Sequence, residues 1–209
     1  MCSESEKRNG ICIAPYLNKA WADLCKAYFI EAKWYYSGYT PTFEEYIENA
    51  WISIGVPVIF VHTYFSIPNS FTKKDLFCLE EHPNIIRSSG MLLRLANDLA
   101  SSQQEIKTGD VPKSTECYMK ESGATEAEAR RHVRSIISTI WKKMNQEVQK
   151  SYFSPNLIDI LVNIPRIALW FYQAGDRYTV QDIEFETKSG TLNCLFNLFC
   201  KWRLEFVQR

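Results

Sequence analysis

Helix-period hydrophobicity runs through nearly all of this chain, and a proline or glycine stands at almost every point where it breaks. Strand-type alternation is nearly absent, so the pattern predicts an all-α fold. A first helix is expected from about Tyr16 to Tyr36, stopped by Gly38. Thr40-Pro41 or Thr42 opens the next, with Glu44 and Glu45 favourably placed against the helix dipole in its first turn. That helix should continue past a Gly55–Pro57 break to about Phe65. Ile67 to Ser70 reads as a loop, followed by a short helix near Lys73 to Leu79. Pro83 opens a long helix that ends before Gly109, and a short one follows from Ser114 to Glu121. Thr125, with Glu128 three residues on, forms a capping box for a helix ending near Lys150. Pro155 starts a last helix to about Ala174, with Pro165 as an expected kink.

The Pro83–Gly109 helix carries the most chemistry. Arg94, Asn97, Ser101 and Glu105 fall within an arc of roughly 80° on an α-helix. Leu92, Leu93, Leu95, Ala96, Leu99 and Ala100 occupy the opposite arc, giving one apolar and one oxygen-rich face. An amide, a hydroxyl and a carboxylate are hard oxygen ligands that suit Mg²⁺ or Mn²⁺ better than zinc. The helix rises only about 12 Å from Asn97 to Glu105, and the Glu105 side chain leans back toward the N-terminus. Three successive turns could therefore converge on one ion, and a cation beside Arg94 invites a phosphate. On spacing alone a solvated surface face is the better reading, since any surface helix shows polar residues at i, i+4 and i+8.

Composition narrows the alternatives. The 209 residues could bury a sizeable core within one domain. With 24 basic and 24 acidic residues, nothing points to nucleic acid or an acidic membrane surface. Seven cysteines are scattered and include no Cys-x-x-Cys pair, which favours reduced thiols serving as apolar fillers. His62, His82 and His132 lie far apart, so no zinc-type cluster is visible. Met1 to Gly10 lacks an apolar core for a signal peptide and is too short and acidic for a transit peptide. Ala50 to Ile67 is apolar enough to raise a membrane span, but Ser53, Gly55, Pro57, His62 and Thr63 interrupt it, and a buried, kinked helix is expected.

Residue identity adds what spacing cannot. Asn97-Asp98-x-x-Ser101-x-x-x-Glu105 resembles the second metal-binding motif of class I terpene synthases. The resemblance extends to Ala20–Tyr28, Glu31–Thr42 and Glu45–Ser53, and to Gly109–Lys113, Cys117-Tyr118-Met119 and Trp141–Asn145. Together these look like plant monoterpene synthases over residues 15–182, leaving 1–14 and 183–209 as divergent ends. The resemblance implies a partial class I terpenoid-synthase helical bundle. In that bundle Asn97, Ser101 and Glu105 hold Mg²⁺ or Mn²⁺, with Asp98 part of the motif. Arg94 and Lys113 bind the substrate diphosphate, and Tyr172, Asp176 and Tyr178 belong to a segment closing over the pocket. Arg177 stands where the family usually has glycine. Trp51, Tyr64 and Phe171 could offer π faces to a carbocation, although core packing is the commoner role for such rings.

The implied reaction is metal-assisted ionisation of a prenyl diphosphate, geranyl diphosphate first among them, followed by cyclisation or elimination. The implied location of the full-length family is the plastid, while this chain by itself would be cytoplasmic or unassigned. The family also carries an Asp-Asp-x-x-Asp motif on a preceding helix, yet no two aspartates are adjacent here. The expectation is a truncated, weakly active or inactive chain, prone to self-association through uncovered apolar surface. The alternative is a non-catalytic relative that acts as an interaction partner or has no role.

Overall fold

A computed structural model describes residues 7–8, 11–66, 84–105, 112–151 and 153–172. Among the described residues, seven helices follow one short strand pair: β1 (Lys7–Arg8), β2 (Ile11–Cys12), α1 (Ala14–Ser37), α2 (Phe43–Ser53), α3 (Val56–Ser66), α4 (Asn84–Glu105), α5 (Ser114–Ser122), α6 (Glu126–Lys150) and α7 (Pro155–Tyr172). The two-residue antiparallel strands pair Lys7 with Cys12 and Arg8 with Ile11, a small departure from a wholly helical chain. Cys12 is disulfide-bonded, so the expectation of reduced thiols does not hold at that position. Such a pairing depends on two Cα atoms meeting within about 4.4–6.8 Å, and spacing along the chain cannot reveal it. Cys25 and Cys117 are free thiols.

Local chemistry explains where the helices stop. Gly38 ends α1 at φ 66°, donating to the carbonyl of Tyr35, while Tyr39 N–H reaches back to Trp34. Only glycine adopts that left-handed geometry without a Cβ penalty. Thr42 caps α2 and Thr125 caps α6, each in a full capping box with Glu45 and Glu128. Each such cap contributes about 1 kcal/mol. The expected break within the apolar stretch falls at Ile54–Gly55, where Gly55 takes φ 85°, and it separates α2 from α3. No described helix is long and apolar enough to cross a membrane. The predicted loop at Ile67–Ser70 and short helix at Lys73–Leu79 lie outside the described residues. So does anything beyond Tyr172, while α7 runs through a buried Pro165 without interruption.

The central element is α4, which packs against α2, α3, α5, α6 and α7. Its first half is built for close approach: Ser88, Ser89 and Gly90 are all buried, and Ser89 Oγ donates to the Leu161 carbonyl of α7 at 2.7 Å. A Cβ on Gly90 would stand 2.6 Å from the backbone oxygen of Trp51, so α2 and α4 touch there with no side chain between them. Backbone cannot yield as a rotamer can. Gly90→Ala should therefore destabilise the fold by about 1–3 kcal/mol, against the gain of about 1 kcal/mol that the same change brings in an open helix. A urea midpoint unchanged or raised would show that the two helices slip apart at no cost.

The core gathers Leu24 of α1, Tyr46 and Ala50 of α2, Phe60 and Tyr64 of α3, and Leu92 and Leu95 of α4. Val133 and Met144 of α6 and Leu157 and Leu161 of α7 complete it. Tyr46 and Trp51 of α2 and Phe60, Tyr64 and Phe65 of α3 are buried, and Tyr64 packs among Phe60, Phe65 and Phe153. What stays outside is the distal part of α1 and its exit: Phe29, Ile30, Tyr35, Tyr36 and Tyr39 are exposed, as is Trp170 on α7. Elsewhere in this region α3 folds back over α1 and α4 closes over α2.

Candidate diphosphate and metal site

The two-faced picture of α4 changes where its neighbours crowd it. Arg94 is 1% exposed and Asp98 0% exposed, so neither lies on a solvated face. Five packed helices bury Leu92 to Ala96 and Asp98, while Met91, Asn97, Leu99 and Ala100 stay half-buried. Leu92, Leu93, Leu95 and Ala96 are buried as expected, and Leu99 packs at the edge of the core.

A hydrogen-bonded cluster surrounds the Arg94 guanidinium. Arg94 Nε donates to the Tyr46 hydroxyl at 2.6 Å and lies 3.0 Å from Asp98 Oδ1. Tyr46 in turn donates to Asp98 Oδ2 at 2.8 Å. Burial raises the Tyr46 pKa well above the usual phenol range, and the charges of Asp98 and Glu31 add to this against the pull of Arg94. The hydroxyl therefore stays protonated and keeps donating. Glu31 of α1, also buried, accepts from Ser53 Oγ of α2. Sequence reasoning passed over Tyr46 and Glu31. The Arg94–Asp98 spacing of four residues was the available signal, since i, i+4 places opposite charges side by side on a helix.

Lys113 directly precedes the helix expected from Ser114: it is the N-cap residue of α5 and is 1% exposed. Its backbone N–H donates to Glu116, and the next amide, Ser114 N–H, donates to Asp98 Oδ2 at 3.2 Å. The start of α5, next to Lys113, is thus brought to the buried Arg94–Asp98 cluster. Arg94 Nη2 and Ser114 Oγ are buried there without a hydrogen-bond partner. Folded proteins pair nearly all such atoms, so orphans gathered at one place mark a spot suited to a ligand or ordered water. Cys117, one turn further on, is a bystander: burial pushes its thiol up to about 12, with Asp98 and Glu116 adding to the effect.

Asn97 is half-buried and donates its side-chain amide N–H to the Tyr172 hydroxyl at 3.1 Å. That contact joins a predicted metal ligand on α4 to a predicted pocket residue on α7. Turning the nitrogen toward Tyr172 directs the other end of the amide, its oxygen, elsewhere, and oxygen is the atom a hard cation takes. The backbone of Ser101 and Glu105 continues α4 without a break, which keeps the i, i+4, i+8 spacing. Their side chains lie outside the described residues, as do Asp176 and Tyr178. Among the described residues no cluster of three or more His, Cys, Asp or Glu side chains forms. A set with one amide, one hydroxyl and a single acid is of a different kind, and it fits a hard divalent ion better than zinc. Of the three predicted π faces, Tyr64 and Trp51 are buried, and Phe171 is half-buried with its ring edge-on to Trp170 and Tyr172.

Comparison with known proteins supplies the context. Residues 1–143 match the terpene synthase family, metal binding domain. A chloroplastic myrcene synthase of Quercus ilex is 49% identical over 196 residues, which are 93% of this chain and 32% of that protein. Among solved structures, limonene synthase with 2-fluorolinalyl diphosphate superimposes with a TM-score of 0.76 at 42% identity, over 83% of this chain and 32% of that one. Isoprene synthase of Populus x canescens, in complex with three Mg²⁺ ions and dimethylallyl-S-thiolodiphosphate, gives 0.74 at 39% identity, over 80% and 32%. The chain spans about a third of the length of the curated relatives it matches. The helices described here have the class I terpenoid-synthase fold, and the chain belongs to the terpene synthase family.

Proposed function

We propose that the α4–α5 cluster binds the diphosphate of a prenyl diphosphate together with a divalent cation, as part of a monoterpene synthase. One observation carries the reading: a fully buried arginine, braced at Nε by Tyr46 and Asp98, keeps Nη2 unmatched by any acceptor. A guanidinium so held is a rigid donor toward an anion. Asn97, Ser101 and Glu105 are the residues that would hold one Mg²⁺ or Mn²⁺. When bound, that ion acts as a Lewis acid on the leaving diphosphate. The chain's own residues do the rest. Arg94 and Lys113 take up negative charge as the allylic carbon–oxygen bond lengthens. Tyr172 orients Asn97, and the α2–α4–α7 packing keeps bulk water from the cation. Geranyl diphosphate is the substrate in this reading, the functional unit runs over residues 15–182, and the plastid is the matching location for full-length members.

The test is calorimetric. Purified protein titrated with inorganic pyrophosphate should bind more tightly when Mg²⁺ is present, and Glu105→Ala should weaken that Mg²⁺-dependent binding by about tenfold, equivalent to about 1.4 kcal/mol. One acid gives the site little charge, so Mg²⁺ alone should bind weakly. Pyrophosphate binding that ignores both Mg²⁺ and Glu105 would remove the metal from this site.

A further inference from the structure

The polar path from Arg94 to the start of α5 runs through a single side chain. Asp98 Oδ2 accepts from Tyr46 of α2 and from the Ser114 amide of α5, while Oδ1 faces Arg94 Nε on its own helix. Ser114 is the first residue of α5 and directly follows Lys113. A carboxylate at that point also meets the positive end of the helix dipole. Its position is costly for an anion site, since a fully buried negative charge beside Arg94 opposes a second anion there by simple Coulomb repulsion. A site that needed only positive charge would do better without it. Position must be what it contributes.

We propose that Asp98 is a positioning residue: its carboxylate locks the Arg94 guanidinium and the first turn of α5, which carries Lys113, into one frame. Two cations on different helices then meet one diphosphate at a set separation and with no reorganisation on binding. Tyr46 is the third corner of that frame, because its hydroxyl accepts from Arg94 and donates to Asp98. Asp98 touches neither metal nor substrate in this arrangement. The proposal rests on the reading of Arg94 and Lys113 as diphosphate-binding residues.

Asp98→Asn tests it with two readouts on the whole chain. In the ligand-free protein, hydrogen exchange of the amides from 113 to 117 should accelerate by about tenfold or more, while α6 stays within about twofold, as local opening requires. Binding of Mg²⁺ with inorganic pyrophosphate should weaken by roughly 10- to 100-fold, the range a charge-assisted hydrogen bond spans, although the change removes a negative charge from an anion site. In a Lys113→Met background the same substitution should cost less than about threefold, because the cation it places is gone. Tyr46→Phe keeps the ring and removes the hydroxyl, and it should give the same pattern more weakly. It also serves as the test should Asp98→Asn fail to fold. Unchanged exchange at the start of α5, additive losses, or equal or tighter pyrophosphate binding would each overturn the proposal. Failure of the unmutated protein to bind pyrophosphate would instead defeat the diphosphate reading, and the frame would then be judged by exchange alone.

Discussion

Arg94→Ala should cost about 3–5 kcal/mol of stability, the usual price of removing one partner from a buried ion pair. Arg94 sits 3.0 Å from Asp98, both are shut off from solvent, and Glu31 adds a second buried carboxylate to the same region. Without the guanidinium these acids face low dielectric with less positive charge nearby, and Tyr46 loses the donor to its hydroxyl. Domains are stable by only about 5–15 kcal/mol in total, so such a loss is a large share of the whole. The thermal midpoint should fall by roughly 6–20 °C for a chain of this size. Arg94→Met combined with Asp98→Asn should recover part of the loss, since replacing both partners avoids the stranded charge. Urea unfolding of the single and double variants measures both effects. A single-variant loss below about 1 kcal/mol would mean that water reaches the pair and that the cluster is a surface ion pair.

The second large effect concerns catalysis. The purified 209-residue polypeptide should convert geranyl diphosphate no faster than the protein-free background. Ionisation separates an allylic cation from a multiply charged leaving group, and electrostatic preorganisation in a dry site must lower that barrier. Loss of one oxyanion-type contact costs roughly 2.7–4 kcal/mol, or about 10²–10³ in rate. The isoprene synthase complex that this fold resembles contains three Mg²⁺ ions. The motif at Asn97, Ser101 and Glu105 provides for one, and no adjacent aspartates occur in these residues to hold others. Gas chromatography of hydrocarbons and alcohols after incubation with Mg²⁺ or Mn²⁺ gives the answer. A terpene product that disappears in Glu105→Ala would show that other residues of this chain complete the ion cluster.

The helix boundaries were largely legible because each rests on local chemistry. Thr42 and Thr125 with a glutamate three residues on, Gly38 at a positive φ, and Pro155 at a first turn act within a few neighbouring residues. The break at Gly55 was legible for the same reason. The strand pair before α1 and the disulfide at Cys12 were not, since strands of two residues leave no period to read and a disulfide joins positions by distance alone.

The candidate site divides along the same line. The sequence by itself determined the all-helical class, the family, and the spacing that puts Arg94, Asn97, Ser101 and Glu105 on successive turns, because a helix converts residue number into angle. Only the tertiary structure decided which of those positions meet solvent. Packing of α2, α5, α6 and α7 around α4 buried Arg94 and Asp98, although periodicity had assigned Arg94 to an open polar face. The same packing brought Tyr46 from 48 residues upstream of Arg94 to its Nε, and Tyr172 from 75 residues downstream of Asn97 to its amide. It also buried Lys113, which caps α5. Those partners come from distant segments, and no local pattern records them, because the burial that makes each contact necessary exists only once the helices have closed.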